Sequence, residues 1–501
     1  MKALVGIAFA LLGVGAGAGM SLFGATPVFL AMAALVPLPL IFKDYRRGVA
    51  LLTLLLPIVS MLPPIRGLNV LNFVTVATLA AFWMRRAYST VPAVRLPRVL
   101  FGCLLVPATW AILIAWPHIP EAARNYPLLD NARAVYDPWT YATTRYVKPV
   151  FYYFSYAFLL ANAVRDSRRP ERFAALLAAA TVLPALAVFY TVASYPGSLM
   201  DVSRDREFMA PRGMHANEFG MLLALAAGPL LFMASGAHTP AWRRCSLLAF
   251  ALVSLALLLT FSRGALFAYL VVVAGFMLHR RRIKAVIVSA AVIALVVLAA
   301  PESMKERFGT GLRQGAISDA NNVDKDDLTA GRVHGWVLLA PEVLESPWLG
   351  RGLGSTQWSG AVASGRYKAN HPHNIYLEIL MDVGLLGFAA IAWLHVLYLR
   401  MFKRLAQSPS LHPSLRAYFL GARYALLGML AMAATTAYFM PNAAQAYLWF
   451  SLGLGFGFQP LWRTVAAPWG RVRATAPAVP VAGAARTGHE LAQTRPVALK
   501  A

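Results

Sequence analysis

Apolar runs alternate with short basic segments along almost the whole chain. The runs lie near 3–23, 26–42, 49–64, 68–84, 98–116, 148–164, 172–194, 214–234, 245–261, 264–278, 285–300, 374–399, 417–438 and 443–462. Each is long enough, at about 1.5 Å of rise per residue, to cross or nearly cross ~30 Å of hydrocarbon as a helix. The pattern predicts an all-α polytopic membrane protein with about 12–14 spans. The first run begins with Lys2 and is compatible with a signal peptide, but an equally apolar run follows it without a break, which favours a retained helix. Polar sequence collects in 117–147, 195–213 and 301–373. The last of these is long enough to be a subdomain, inserted before the third-last helix, rather than a connection. Within it, Gly331 to Glu345 has the spacing of an amphipathic surface helix, with Val333, Trp336, Val337 and Val343 on its apolar side. Residues 464–501 are rich in Ala, Pro and Arg without apolar periodicity and read as a disordered tail. The expected organisation is N-terminal helices over 1–165, a core over 166–463 that includes the loop 301–373, and the tail.

Composition narrows the class further. Of 501 residues, 59% are hydrophobic and 13% charged, against about 25% charged in an ordinary soluble domain. Two distant cysteines, Cys103 and Cys245, build neither a disulfide framework nor a thiolate metal site. The net charge of +25 would suggest nucleic acid in a soluble protein. Its distribution removes that reading. One set of loops, with Lys2 and the tail, holds 28 basic residues against the four acids Asp44, Asp166, Glu171 and Glu490, while the other side balances 17 against 17. Arg423 lies within a span. The positive-inside rule therefore places both termini in the cytoplasm and the long polar loops outside, and leaves membrane lipids, not nucleic acid, as the general partner. No nucleotide-binding motif or internal repeat is visible.

Three local signals carry chemistry. The first is Asn370-His371-Pro372-His373-Asn374, where the long outer loop meets a membrane helix. Pro372 suits a first helical turn and would put His373 and Asn374 in that turn. The positive helix N-terminus disfavours imidazolium, so a neutral His373 is available as a general base. The alternative is a solvated histidine that caps the helix. His371, two positions away on the same turn, should point elsewhere. The second signal is Ser262-Arg263-Gly264-Ala265, a turn between two apolar runs on the outer side. Its guanidinium fork suits phosphate oxygens; a snorkelling arginine among lipid headgroups is the competing reading. The third is Arg204-Asp205-Arg206-Glu207 followed by Arg212, a loop whose arginines suit a diphosphate. Arg204 and Arg206 have acids beside them; Arg212 has none and is the stronger candidate. A short acidic run, Asp324-Lys325-Asp326-Asp327, offers a weak divalent-metal alternative.

Taken together, these residues resemble the O-antigen ligase and polymerase superfamily of bacterial envelope proteins. His373-Asn374, nine residues, then Gly384-x-x-Gly387 is similar to the ligase signature. Ser262-Arg263-Gly264-Ala265, Arg212 before Met214-His215-Ala216-Asn217, and Arg332-x-x-x-Trp336 through Pro347-Trp348-Leu349-Gly350-x-Gly352-x-Gly354 are similar to further family landmarks. The resemblance spans roughly 170–460. It implies a GT-C-like, inverting, metal-independent glycosyltransferase without cofactor. Such an enzyme moves a glycan from undecaprenyl diphosphate to a sugar hydroxyl of lipid A–core at the periplasmic face of the bacterial inner membrane. His373 becomes the expected catalytic base, and Arg212, Arg263 and Arg206 the diphosphate ligands. Asn374, Arg332 and His371 are expected to support them, and Gly384 and Gly387 to allow close helix approach. A polymerase or protein O-oligosaccharyltransferase of the same superfamily is the nearest alternative. A lipid-linked glycan transporter is more distant, since charges gather at one face and no repeat is apparent.

Overall fold

The computed structural model describes residues 37–61, 70–129, 137–198, 201–202, 208–236, 239–280, 332–435 and 439–463. The described residues form helices and connecting turns, with no strand among them. We number the principal helices α1 (Tyr45–Leu55), α2 (Val70–Ala87), α3 (Arg98–Asn125), α4 (Lys148–Arg165), α5 (Glu171–Ala193), α6 (Ala216–Gly236), α7 (Pro240–Leu259), α8 (Arg263–His279), α9 (Arg332–Glu345), α10 (Ile375–Gln407), α11 (Pro413–Met432) and α12 (Ala446–Phe456). Among the described residues, six helical stretches are long and apolar enough to cross a membrane: α3, α5, α6, α7, α10, and α11 with the turn that follows it. The protein is an all-α polytopic membrane protein.

Helix α6 is the hub. Most of its length is buried, whereas α7 turns much of its apolar surface outward, as a lipid-facing helix should. The close approach of α6 to α11 depends on two glycines. A Cβ on Gly228 would stand 2.4 Å from the Gly421 carbonyl oxygen, and one on Gly421 would stand 2.3 Å from that of Gly228. Small residues at such crossings let backbones touch where hydrophobic segregation offers no drive. Another contact fixes the N-terminal helices. Asp166, at the end of α4, accepts Tyr45 Oη at 2.8 Å and Arg86 Nη2 at 3.0 Å.

The predicted spans from 68–84 to 264–278 that fall on described residues appear as helices within a few residues of the expected limits, and the span expected at 374–399 appears as α10, which runs on to Gln407. Two corrections concern extent. The helix expected over 98–116 continues to Asn125, and the stretch 117–147 contains a further helical segment at Pro138–Ala142 running through Val147 into α4. Apolar length marks the part of a helix in lipid, and here the helix outlasts it. The amphipathic helix expected from Gly331 to Glu345 is α9. The spans at 3–23 and 285–300, most of 26–42, and the tail lie outside the described residues.

Candidate active site

The scaffold of the site is a loop, Ser346 to Ser364, clamped to the beginning of α10. Helix α10 is interrupted at Gly384, where φ is 65° and ψ −171°. The break turns backbone groups outward, and the loop takes them up. Leu385 N–H donates to the Pro347 carbonyl at 2.8 Å, and Arg351 N–H donates to that of Met381 at 2.7 Å. Buried Asp382 accepts from Gly354 N–H at 2.9 Å, Ser355 N–H at 3.0 Å and Ser355 Oγ at 2.8 Å. Gly384 therefore serves a left-handed break against this loop, which corrects the expectation of helix-on-helix approach; a Cβ there would meet the Trp348 backbone at 2.4 Å. Glycines 350, 352 and 354 are all left-handed as well, which explains their alternation in sequence.

The His-Pro-His-Asn segment leads directly into α10, and its geometry corrects the sequence reading. Asn374, not Pro372, marks the helix start: its Oδ1 accepts the N–H groups of Tyr376 at 3.0 Å and Leu377 at 3.3 Å. Asn is among the strongest N-cap residues, and that preference outweighs proline's for the first turn. His373 therefore precedes the helix, in left-handed backbone at φ 51°. His371 does not point away from it. The two rings lie 4.0 Å apart edge to face, and His373 N–H donates to His371 Nδ1 at 3.3 Å. Without helical backbone between them, the helical spacing argument does not apply. Burial holds the His371 imidazole neutral, with a pKa well below the usual 6.5, helped by the positive potential of His373, Arg145, His215 and Arg332. Since Nδ1 accepts, neutral His371 carries its proton on Nε2 and is a donor there.

The arginine turns join the same end of the bundle. In the first, Phe261 is left-handed at φ 51°, Ser262 caps α8 through Ala265 N–H at 3.3 Å, and Arg263 begins the helix. Ser262 Oγ also donates to Asn217 Oδ1 at 2.7 Å, tying this turn to the start of α6. A Cβ on Gly264 would reach Thr435 Oγ1 at 2.5 Å, just past α11, whose Leu430 carbonyl accepts Tyr376 Oη of α10 at 2.5 Å. Arg212 lies in the loop before α6. Its Nε donates to Thr191 Oγ1 at 3.0 Å, and its guanidinium lies 4.8 Å from the Tyr190 ring centre. The Phe208 and Phe261 rings, 6.4 Å apart, bring the two arginine-bearing turns into contact.

A cavity lies beside these elements, lined by Tyr141, Arg145, Gln357, Asn370, His371 and Glu378 among others. Arg332, the first residue of α9, is within electrostatic reach of His371, and Trp336 Nε1 of α9 donates to the Pro372 carbonyl at 2.9 Å. Tyr367 Oη donates to the His371 carbonyl at 2.8 Å. The residue that sequence reasoning missed is Arg145. It precedes α4, lines the cavity, and is within electrostatic reach of His371, Glu218 and Asp382. Tyr141, on the same segment, donates its hydroxyl to the Leu353 carbonyl at 2.7 Å. The region 1–165 thus supplies part of the site, where the sequence offered only helices. Arg206 lies outside the described residues, as do Arg204 and the acidic run Asp324–Asp327. No group of three His, Cys, Asp or Glu suited to a metal is found among the described residues.

Residues 248–392 match the family model described as O-antigen ligase. Over this segment the chain is similar to the O-antigen ligase superfamily. The matched residues run from within α7 into α10, so they contain the Arg263 turn, His371, His373 and the Gly384 break. They are fewer than the 170–460 over which the resemblance was expected, and exclude Arg212 and Arg145. The superfamily is one of glycosyltransferase-like enzymes, and the match supports a function of the O-antigen ligase or polymerase type. No curated protein matches the chain.

Proposed function

We propose that this protein is an O-antigen ligase: an inverting glycosyltransferase that moves a glycan from undecaprenyl diphosphate to a sugar hydroxyl of lipid A–core. It works at the periplasmic face of the bacterial inner membrane, with both termini cytoplasmic and a GT-C-like arrangement. The observation that carries the reading is the meeting of the His371–His373 pair with Arg145, Arg332 and a cavity, on elements linked to the Arg263 turn through α11.

His373 takes the proton of the acceptor hydroxyl. The freed oxygen bonds to the anomeric carbon as the bond from that carbon to the diphosphate oxygen breaks, and the electron pair leaves with the lipid diphosphate. Inversion follows from attack opposite the leaving group. Arg263 and Arg212, with Arg206 in the same loop, neutralise the developing charge, which is the task a divalent ion performs elsewhere. Arg145 lines the cavity beside His371 and adds its positive charge there. His371 donates from Nε2, and its Nδ1 holds the His373 backbone. Asn374 caps α10 and so sets where His373 stands.

A polymerase would use the same chemistry with a growing glycan as acceptor. The His-Asn and Gly384-x-x-Gly387 spacing favours the ligase. His373→Ala tests the mechanism. The purified full-length variant should bind the lipid-linked donor as the parent does, yet lose about 10²–10⁴-fold in transfer. Near-parental transfer would remove His373 as the base.

A further inference from the structure

The opposite end of the bundle holds a second, larger cavity, about 410 Å³. It lies far from the histidines. From Ile375 to Lys403 along α10 is roughly 40 Å, and α8 separates Arg263 from His279 by about 24 Å. Its walls carry Arg280, Lys403, Arg416 and Arg423 together with His279, and no acidic side chain among the described residues lines it. Its volume falls in the range of about 300–1,000 Å³ in which proteins hold small ligands.

Three features separate it from an ordinary basic membrane surface. Arg416 and Arg423 stand seven residues apart on α11, with Leu420 between them, so they share one helical face. Arg423 lies roughly 15 Å inside the start of that helix. An arginine at that depth is costly unless something answers its charge. Its Nε is buried and has no hydrogen-bond partner among the described residues. The cavity also has an apolar wall, with the rings of Phe232 and Tyr424 stacked 5.4 Å apart. Topology alone explains cations at the edge of a helix, solvated in water. It does not explain one drawn inside beside aromatic rings and turned toward a cavity.

We propose that this cavity binds the phosphate-bearing headgroup of an anionic phospholipid from the adjacent leaflet. The phosphate meets Arg423 and Arg416, Lys403 and Arg280 close over the headgroup from the rim, and the acyl chains leave along the apolar side. Basic pockets between membrane helices on the side favoured by positive charge suit such headgroups. The proposal is independent of the transfer reaction at the other end.

The test uses full-length protein in detergent, followed by thermal unfolding and by native mass spectrometry. Phosphatidylglycerol should raise the unfolding midpoint and remain bound through the spectrometer, whereas phosphatidylcholine of the same chains should do neither. Arg423→Gln and Lys403→Gln should each weaken phosphatidylglycerol binding about tenfold. Arg400→Gln, whose guanidinium lies over Trp393 outside the cavity, should leave it unchanged. Lys403 is exposed, so its variant folds whatever becomes of the Arg423 variant. Equal binding of both lipids, or undiminished binding in the Lys403 variant, would overturn the site. If inorganic phosphate at millimolar concentration reproduces the whole shift, the ligand is a soluble anion and the lipid assignment falls.

Discussion

Phe261 and His373 both sit in left-handed backbone at φ 51°, and each is followed by a residue whose side chain caps a membrane helix. They are the two non-glycine residues with positive φ among the described residues. In the first turn the side chain proposed to bind the diphosphate follows the cap: Ser262 caps and Arg263 begins α8. In the second it precedes the cap: His373 stands before Asn374 and outside α10. Such backbone costs on the order of 1–3 kcal/mol and persists where surrounding contacts hold it. The holding contacts differ. Phe261 is buried and packs edge to face on Phe208, so apolar contact offsets its strain. His373 is only half-buried, and its neighbourhood is polar: His371, the Pro372 carbonyl held by Trp336, and Arg332 near by. The lesson is that the same local device places an arginine at a helix start in one case and frees an imidazole from the helix in the other. Anion binding suits the first position, since the helix N-terminus adds its own positive potential. Proton transfer suits the second.

Substitutions sharpen this contrast. Beyond the His373→Ala loss, the largest expected effect is at the arginines. Arg263→Lys and Arg212→Lys should each lose most transfer, about 10–100-fold, because lysine keeps the charge and loses the two-pronged fork. Arg145→Gln should fall in the same range, while Arg204→Lys should stay close to parental activity. Parental rates in both lysine variants, measured by transfer to acceptor, would mean that those arginines only anchor to lipid headgroups. The glycine substitutions come next and should differ in sign. Phe261→Gly relieves strain but removes a buried ring, for a net loss of about 2–3 kcal/mol in thermal unfolding. His373→Gly removes transfer but should gain about 1 kcal/mol, since little burial is lost. Equal signs would show that the two turns are held in the same way.

The smallest effect is a pH dependence. The folded-state pKa of His371 lies well below its ordinary 6.5. The unfolded chain therefore takes up a proton there that the folded chain refuses. The corresponding stability is present above pH about 6.5 and drains away as pH falls from there toward the folded value. His371→Gln should flatten that acid limb, by at most one proton, in unfolding midpoints measured against pH. An unchanged limb would mean that His371 titrates as an ordinary surface histidine.

Much of the fold was legible because a membrane helix announces itself by apolar length. The legible parts of the site were those whose residue type conflicts with their surroundings, such as Arg263 between two apolar runs. Other parts were not. Pro372 and Asn374 both carry helix-start signals, and only packing decides between them; once Asn374 caps, His373 and His371 fall on one side. Gly384 looks like any small residue in a helix until the 347–352 loop is seen bonded across the break. Arg145 was invisible for a simpler reason. More than 200 residues separate it from His371, and no local pattern encodes a contact that tertiary packing alone creates.

The central claim is that the site transfers a lipid-diphosphate-linked glycan to lipid A–core. Its most direct test combines purified full-length protein, undecaprenyl-diphosphate glycan carrying a labelled sugar, and lipid A–core, and asks where the label goes. The account predicts label on lipid A–core, with inverted configuration at the new linkage and free undecaprenyl diphosphate as the second product. Label found only in lengthened lipid-linked glycan would make the protein a polymerase, and label that stays on the unaltered donor would contradict the enzymatic account altogether.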